Sequence, residues 1–353
     1  MKMGIRKLEG NFFIALNIFR VVGNKIMTAQ RLIRIFAIIT AIGAYVMIIL
    51  GVLVSTSGSG HGCGNTWPFC HGEIIPGVIT IQGVIEYSHR IMSSLDGFLV
   101  LVLTVWAWFM YRKDFRVKLF AFLSLLFVIL QGALGAVTVV YEGTLALNWI
   151  LSVHFGLSLI AFASVILLVI RLFQVGREQR GISTGIAPEV SRLQLPIFGL
   201  AVYTYIVVYT GALVEHTGAV TSCGYQIPGC GSVYFPSFTS LAGIQVLHRY
   251  VAALLWVLVL GLLITILRSY RDRRDLVQGA LWAFGLITLQ AISGMFNVFT
   301  GGQLLAALVH TTLIASFFSV LCFLWLQVGW PWKRKKALQQ IESKQSLELK
   351  TVP

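Results

Sequence analysis

The sequence predicts an all-α membrane protein of eight transmembrane helices, arranged as two parallel-repeat four-helix bundles with both termini in the cytoplasm. Three observations predict it: a composition too apolar for a soluble chain, eight apolar stretches of spanning length, and an internal offset near 160 residues. Of the 353 residues, 57% are hydrophobic and only 11% charged, and the mean hydropathy is +0.83. A soluble domain would carry about 25% charged residues.

The apolar stretches lie near 32–54, 86–110, 117–139, 148–172, 193–214, 244–267, 276–298 and 303–328. Each approaches or exceeds the roughly 20 residues that cross a hydrocarbon core of about 30 Å. Lipid offers backbone N–H and C=O groups no partner, so these spans must be helices, and they are too long for barrel strands. The partner of this surface is the lipid bilayer.

A formal charge of +14 invites a nucleic-acid reading, but its distribution excludes one. Seven Lys or Arg precede or open the first span. Four more lie between spans 2 and 3, four between spans 4 and 5, four between spans 6 and 7, and six after span 8. These positions share one side of the membrane, and the positive-inside rule makes that side the cytoplasm. Only Arg90 and Arg249 stand apart, each directly after a histidine. The chain then divides into a cytoplasmic N-terminal extension (1–31), a first bundle (32–172), a cytoplasmic linker (173–192), a second bundle (193–330) and a cytoplasmic tail (331–353). The extension lacks a small-residue cleavage site and carries positive charge throughout. It reads as cytoplasmic, with an interfacial helix around Asn11 to Val22.

The repeat governs the rest. Gly51 matches Gly211, Cys63 matches Cys223, Cys70 matches Cys230, His89 matches His248, Gln131 matches Gln290 and His154 matches His310. Ser88-His89-Arg90 parallels Leu247-His248-Arg249, and Gln131-Gly132-Ala133-Leu134-Gly135 parallels Gln290-Ala291-Ile292-Ser293-Gly294. With four spans in each half, both halves enter from the same side, so the repeat is parallel.

Four histidines fall within spans, all near the outer ends: His89 in span 2, His154 in span 4, His248 in span 6 and His310 in span 8. At 1.5 Å per residue the two of each half come to a similar depth. Two imidazoles at one depth on different helices of a bundle can grip a six-coordinate heme iron from opposite faces. A lone intramembrane histidine is commonly a packed polar residue. Four, paired by depth and repeated by offset, point to two heme sites. Arg90 and Arg249, at the outer interface beside the ligands, are candidates to bind heme propionates; the plainer alternative is snorkelling to water.

The halves differ at one informative place. Glu86 lies three residues before His89, where the second half has Gln245, so only the first half carries a carboxylate beside its heme and is suited to proton chemistry. Glu86 could instead pair with Arg90 at i,i+4, and the HExxH pattern of zinc proteases is absent. Asp96, seven residues after His89, is either a protonated helix partner or part of a proton route; its counterpart is Leu255.

The outer loops hold Cys63 with Cys70 and Cys223 with Cys230. Thiols outside the cytoplasm oxidise readily, so each pair is most simply a loop-closing disulfide. His61 and His71 flank the first pair and admit a zinc alternative, though the second pair has no such neighbours. A redox role for the first pair is a further alternative.

From about residue 30 to 330, these cysteines together with Glu86-Tyr87-Ser88-His89-Arg90, Gln131-Gly132-Ala133-Leu134-Gly135, His154, His248-Arg249 and His310 resemble the heme A synthase family, membrane enzymes of cytochrome oxidase cofactor assembly. The resemblance implies an oxidoreductase acting on heme O, whose ring methyl is oxidised through hydroxylation to the formyl group of heme A, with water as oxygen source. It implies that His89 and His154 hold the substrate heme, that Glu86 is the catalytic carboxylate, and that His248 and His310 hold a heme b that relays electrons. It further implies that both cysteine pairs are disulfides and that heme O synthase hands over the substrate. Glu9 and the shortness of the basic N-terminal segment favour a bacterial plasma membrane over the mitochondrial inner membrane. A diheme electron carrier and a rocking transporter are the rival readings.

Overall fold

The computed structural model describes residues 2–75, 77, 80–144, 146–178 and 191–329. The tail 331–353 and most of the linker, 179–190, lie outside the described residues. Eight long helices account for the fold: α1 (Lys2–Thr56), α2 (Ile81–Met110), α3 (Phe115–Val140), α4 (Leu147–Glu178), α5 (Ser191–His216), α6 (Leu241–Ser269), α7 (Arg274–Phe299) and α8 (Leu304–Val328). No strand occurs among the described residues; two isolated bridges, Cys70 with Glu73 and Cys230 with Val233, pin the outer loops. All eight helices contain a stretch long and apolar enough to cross a membrane. The separate interfacial helix expected near Asn11 to Val22 is instead continuous with the first span, within the single helix α1.

The helices begin where capping side chains permit. Thr80 accepts from the Gly83 N–H at 3.0 Å and Ser240 from that of Gly243 at 3.0 Å, each satisfying an orphan donor of a first turn. α2 therefore starts five residues earlier than the hydropathy pattern suggested, because Ile81–Ile85 is already helical. This places His89 two turns inside α2 rather than at its mouth. His154, His248 and His310 lie at similar depths in α4, α6 and α8, so all four imidazoles stand roughly 9–12 Å in from their helix starts.

Packing sets the corners. α1 packs on α2 and α4, and α3 packs on the same two; α5 packs on α6 and α8, as does α7. In each group the histidine-bearing helices, α2 with α4 and α6 with α8, occupy opposite corners. The groups meet through α4 against α5 and α8, and α1 against α8, and one core of buried residues, Leu168, Leu172, Ile197, Phe317 and Leu321 among them, runs through both groups. The Tyr45 hydroxyl joins Thr312 across this seam at 2.9 Å. α3 buries the least of its span and turns Phe122, Ile129 and Leu130 outward, as expected of a lipid-facing helix.

At the opposite end from the outer loops, Asp114 caps α3 by accepting from the Val117 N–H at 3.0 Å and from Arg171 Nη2 at 2.6 Å. Arg171 also binds Glu178 at 2.8 Å. Burial alone would raise the Asp114 carboxyl, but the Arg171 guanidinium and the Val117 N–H outweigh it and hold it below its ordinary value. A group depressed in the folded state contributes stability above about pH 4 and loses it as pH falls through the lower folded value. Asp114→Ala is expected to lower stability at neutral pH by about 1 kcal/mol through the lost cap alone. The gap should narrow on acidification, as read by the thermal midpoint in detergent at pH 7 and below pH 4.

Candidate functional site

Each of the four half-buried imidazoles reaches the interior of its group by lying against a glycine of the next helix. A methyl on Gly51 would stand 3.5 Å from Cε1 of His89, and one on Gly135 3.6 Å from Cε1 of His154. In the second group the fit is tighter: 2.8 Å from Gly211 to Cε1 of His248, and 3.0 Å from Gly294 to Cε1 of His310. His89 and His154 stand on helices at opposite corners of the first group, and His248 and His310 on those of the second.

Their hydrogen bonding separates the pairs. His248 Nδ1 lies 3.0 Å from the Thr210 hydroxyl, and His310 Nδ1 lies 2.9 Å from that of Ser293. The Gln290 amide nitrogen stands 3.0 Å from His310 Nε2. In the first group, Nδ1 of His89 and of His154 is buried with no hydrogen-bond partner. Gln131, the counterpart of Gln290, leaves the ring alone and donates to the His154 carbonyl at 2.9 Å and the Ser158 hydroxyl at 2.5 Å. Buried polar atoms without partners are uncommon, and the first group holds two of them at its imidazoles.

Glu86 is almost fully buried. One oxygen accepts from the Cys63 backbone N–H at 2.8 Å, and the other binds Arg90, so the i,i+4 pair admitted by the sequence does form. Gln245 performs the same tethering in the second group. Its Oε1 accepts from the Cys223 N–H at 3.0 Å and the Ser222 hydroxyl at 3.1 Å, and its amide donates to the Val220 carbonyl. Both positions hang a disulfide loop, Cys63–Cys70 or Cys223–Cys230, from the helix that bears a histidine.

The arginines complete the tether. Arg90 Nη1 donates to the carbonyls of Thr66 at 2.5 Å and Phe69 at 3.0 Å; Arg249 Nη1 donates to those of Gln226 at 2.6 Å and Gly229 at 3.2 Å. They clamp the loops rather than snorkel. Arg249 keeps Nη2 buried and unpaired, whereas Arg90 Nη2 is committed to Glu86.

The family described as "Cytochrome oxidase assembly protein" matches residues 78–322. A heme A synthase of Alkalihalophilus pseudofirmus is 38% identical over 300 residues, covering 85% of this chain and 98% of the relative. One of Bacillus mycoides is 39% identical over 296 residues, covering 84% and 93%. The chain belongs to the heme A synthase family. It is a multi-pass membrane protein of that family.

In this heme A synthase relative the zinc alternative finds no support: among the described residues no cluster of three or more His, Cys, Asp or Glu could hold a metal ion, and His61 pairs with Glu142 at 3.2 Å. Asp96 is buried, its Oδ1 has no hydrogen-bond partner, and it lies against the bare face of Gly43 on α1. Its counterpart Leu255 is buried as well. Sequence reasoning missed Thr210 and Ser293. The signal for them lay in the repeat, since each precedes a matched glycine and stands where the first half has Leu50 and Leu134.

The glycine contacts yield a paired prediction. Gly211→Ala is expected to force the His248 ring away and lower the thermal midpoint. Gly51→Ala meets only ordinary van der Waals contact and should be neutral, or stabilising by up to about 1 kcal/mol from helix propensity. Melting curves of the two variants in one detergent check both.

Proposed function

We propose that the protein converts heme O to heme A, oxidising one ring methyl to a formyl group by way of a hydroxymethyl. The carrying observation is an asymmetry: a buried carboxylate, Glu86, stands one turn from His89 in the half whose imidazoles are free of hydrogen bonds, while the other half offers the neutral Gln245.

The residues fit two porphyrins. Paired imidazoles stand at opposite helix corners, each against a glycine, and orphaned ring nitrogens remain at His89 and His154. In this reading residues 32–172 form the substrate half, with His89 and His154 holding heme O, and residues 193–330 form the cofactor half, with His248 and His310 holding heme b. Heme b, when bound, supplies a one-electron relay. The unpaired Nη2 of Arg249 is placed to bind a propionate there. Arg90 would do so in the first half only by sharing its Nη2 with Glu86.

The overall change, methyl plus one water to formyl, releases four protons and four electrons. Glu86, a buried carboxylate one turn from His89, is the base that takes a proton from water or from the hydroxymethyl oxygen. Arg90 and the Cys63 N–H hold its two oxygens and fix their direction. Electrons leave through the second half to an acceptor outside the chain. Both termini face the cytoplasm of a bacterial cell, the outer loops cover the sites from the other side, and heme O synthase delivers the substrate from within the same membrane.

The test is chromatography of hemes extracted from membranes of a host that supplies heme O, with and without this chain. Heme A is expected only with it; a chain yielding heme b alone would be an electron carrier instead. Glu86→Gln, which retains an acceptor for Cys63, is expected to slow heme A formation by about a hundredfold or more. Wild-type rates in Glu86→Gln and Glu86→Ala would remove Glu86 from the chemistry.

A further inference from the structure

Thr210 and Ser293 are alike in three respects. Each immediately precedes the glycine against which an imidazole rests, each places its hydroxyl 2.9–3.0 Å from that imidazole's Nδ1, and each donates its own proton to the carbonyl three residues earlier. Thr210 bonds Val207 at 2.8 Å, and Ser293 bonds Gln290 at 2.9 Å. A hydroxyl has one proton to give. Since that proton is committed to the backbone, the oxygen can only accept from the ring, so the network assigns the hydrogen to Nδ1 of His248 and His310. Nε2 is thereby left with its lone pair, the form in which an imidazole binds iron. The Gln290 amide nitrogen, 3.0 Å from His310 Nε2, donates to that lone pair and agrees with the assignment.

The first half has none of this. Leu50 and Leu134 occupy the positions of Thr210 and Ser293, and the two Nδ1 atoms are buried without partners. The steric fit differs in the same sense, since the first-half glycines leave 3.5–3.6 Å to the ring and the second-half glycines only 2.8–3.0 Å.

We infer that Thr210 and Ser293 are positioning residues that make the second half a retentive porphyrin site, and that their replacement by Leu50 and Leu134 makes the first half an exchanging one. The inference deepens the proposed division of labour and rests on it. A resident relay must not dissociate between turnovers, whereas a substrate must enter and its product must leave. Partners that orient a ligating imidazole through its other nitrogen raise its basicity and its hold on the metal, typically by 10–100-fold in affinity. A ring free to rotate about its side-chain bonds must be ordered each time a porphyrin binds.

The experiment follows porphyrin transfer from the purified full chain, loaded in a host that makes hemes b and O, to excess apomyoglobin. Wild type is expected to release in two phases. Thr210→Val with Ser293→Ala, which preserve shape and remove the acceptors, should accelerate the slow phase by about tenfold, leave the fast phase alone and alter the low-spin electron paramagnetic resonance signal of the retained heme. Thr210→Ser should restore both properties. Leu134→Ser in the first half should slow the fast phase. An unchanged slow phase and spectrum in the double variant would overturn the inference. So would a single release phase in wild type that carries both hemes. Purified wild type without any porphyrin would instead bring down the underlying reading of two heme sites.

Discussion

All four imidazoles reach into their four-helix groups beside a glycine of a neighbouring helix, and at His248 and His310 the approach is so close that a methyl there would crowd the ring. Gly51, Gly135, Gly211 and Gly294 each present bare backbone to one histidine ring. Everything else about the sites follows from this close approach. It brings polar rings into an apolar interior, where each nitrogen must find a partner or incur a desolvation cost of about 1–3 kcal/mol. The two halves resolve that demand differently. Hydroxyls of Thr210 and Ser293 serve the second pair; in the first pair both Nδ1 atoms are without partners.

The outer loops show the same principle of one scaffold with two chemistries. A helix residue one turn before the histidine accepts from the backbone N–H of the first cysteine, and the following arginine gathers carbonyls from the loop. This arrangement holds a short disulfide loop over each site without burying an unsatisfied backbone group. The amide of Gln245 meets the requirement without charge. The carboxylate of Glu86 meets it only with Arg90 beside it, and in doing so places an ionisable group next to the His89 pair. A structural tether and the base of the proposed reaction are thus one residue, which is why the amide variant separates the two roles better than alanine does.

Asp96 stands apart from this economy. It is buried against Gly43, its Oδ1 has no hydrogen bond, and it has no carboxylate counterpart in the second half. Its place two turns further into the membrane than His89, on nearly the same face of α2, sets it below the first site. By contrast Arg171 binds both Asp114 and Glu178 and ties the start of α3 to the end of α4.

Fold class and span number were legible in the sequence because each rests on a one-dimensional quantity. Those quantities are the run length of apolar residues, the side on which basic residues fall, and a constant offset between halves. Helix starts were less legible, since Ile81–Ile85 enters α2 through a hydroxyl cap at Thr80 that hydropathy does not register. Glu86 and Arg90 were visible as residues, but whether they would face each other, a porphyrin or a loop depended on where the chain between Gly58 and Thr80 returns. Only the tertiary structure decided that. The hydroxyls of Thr210 and Ser293 were hidden for the same reason: a serine or threonine beside a glycine in an apolar helix looks like packing until the ring that it bonds, carried by another helix 17 to 38 residues away, is brought against it. Sequence alone thus determined which groups would have to be buried, through the cost of polar atoms in lipid; three-dimensional packing decided which partner each one found.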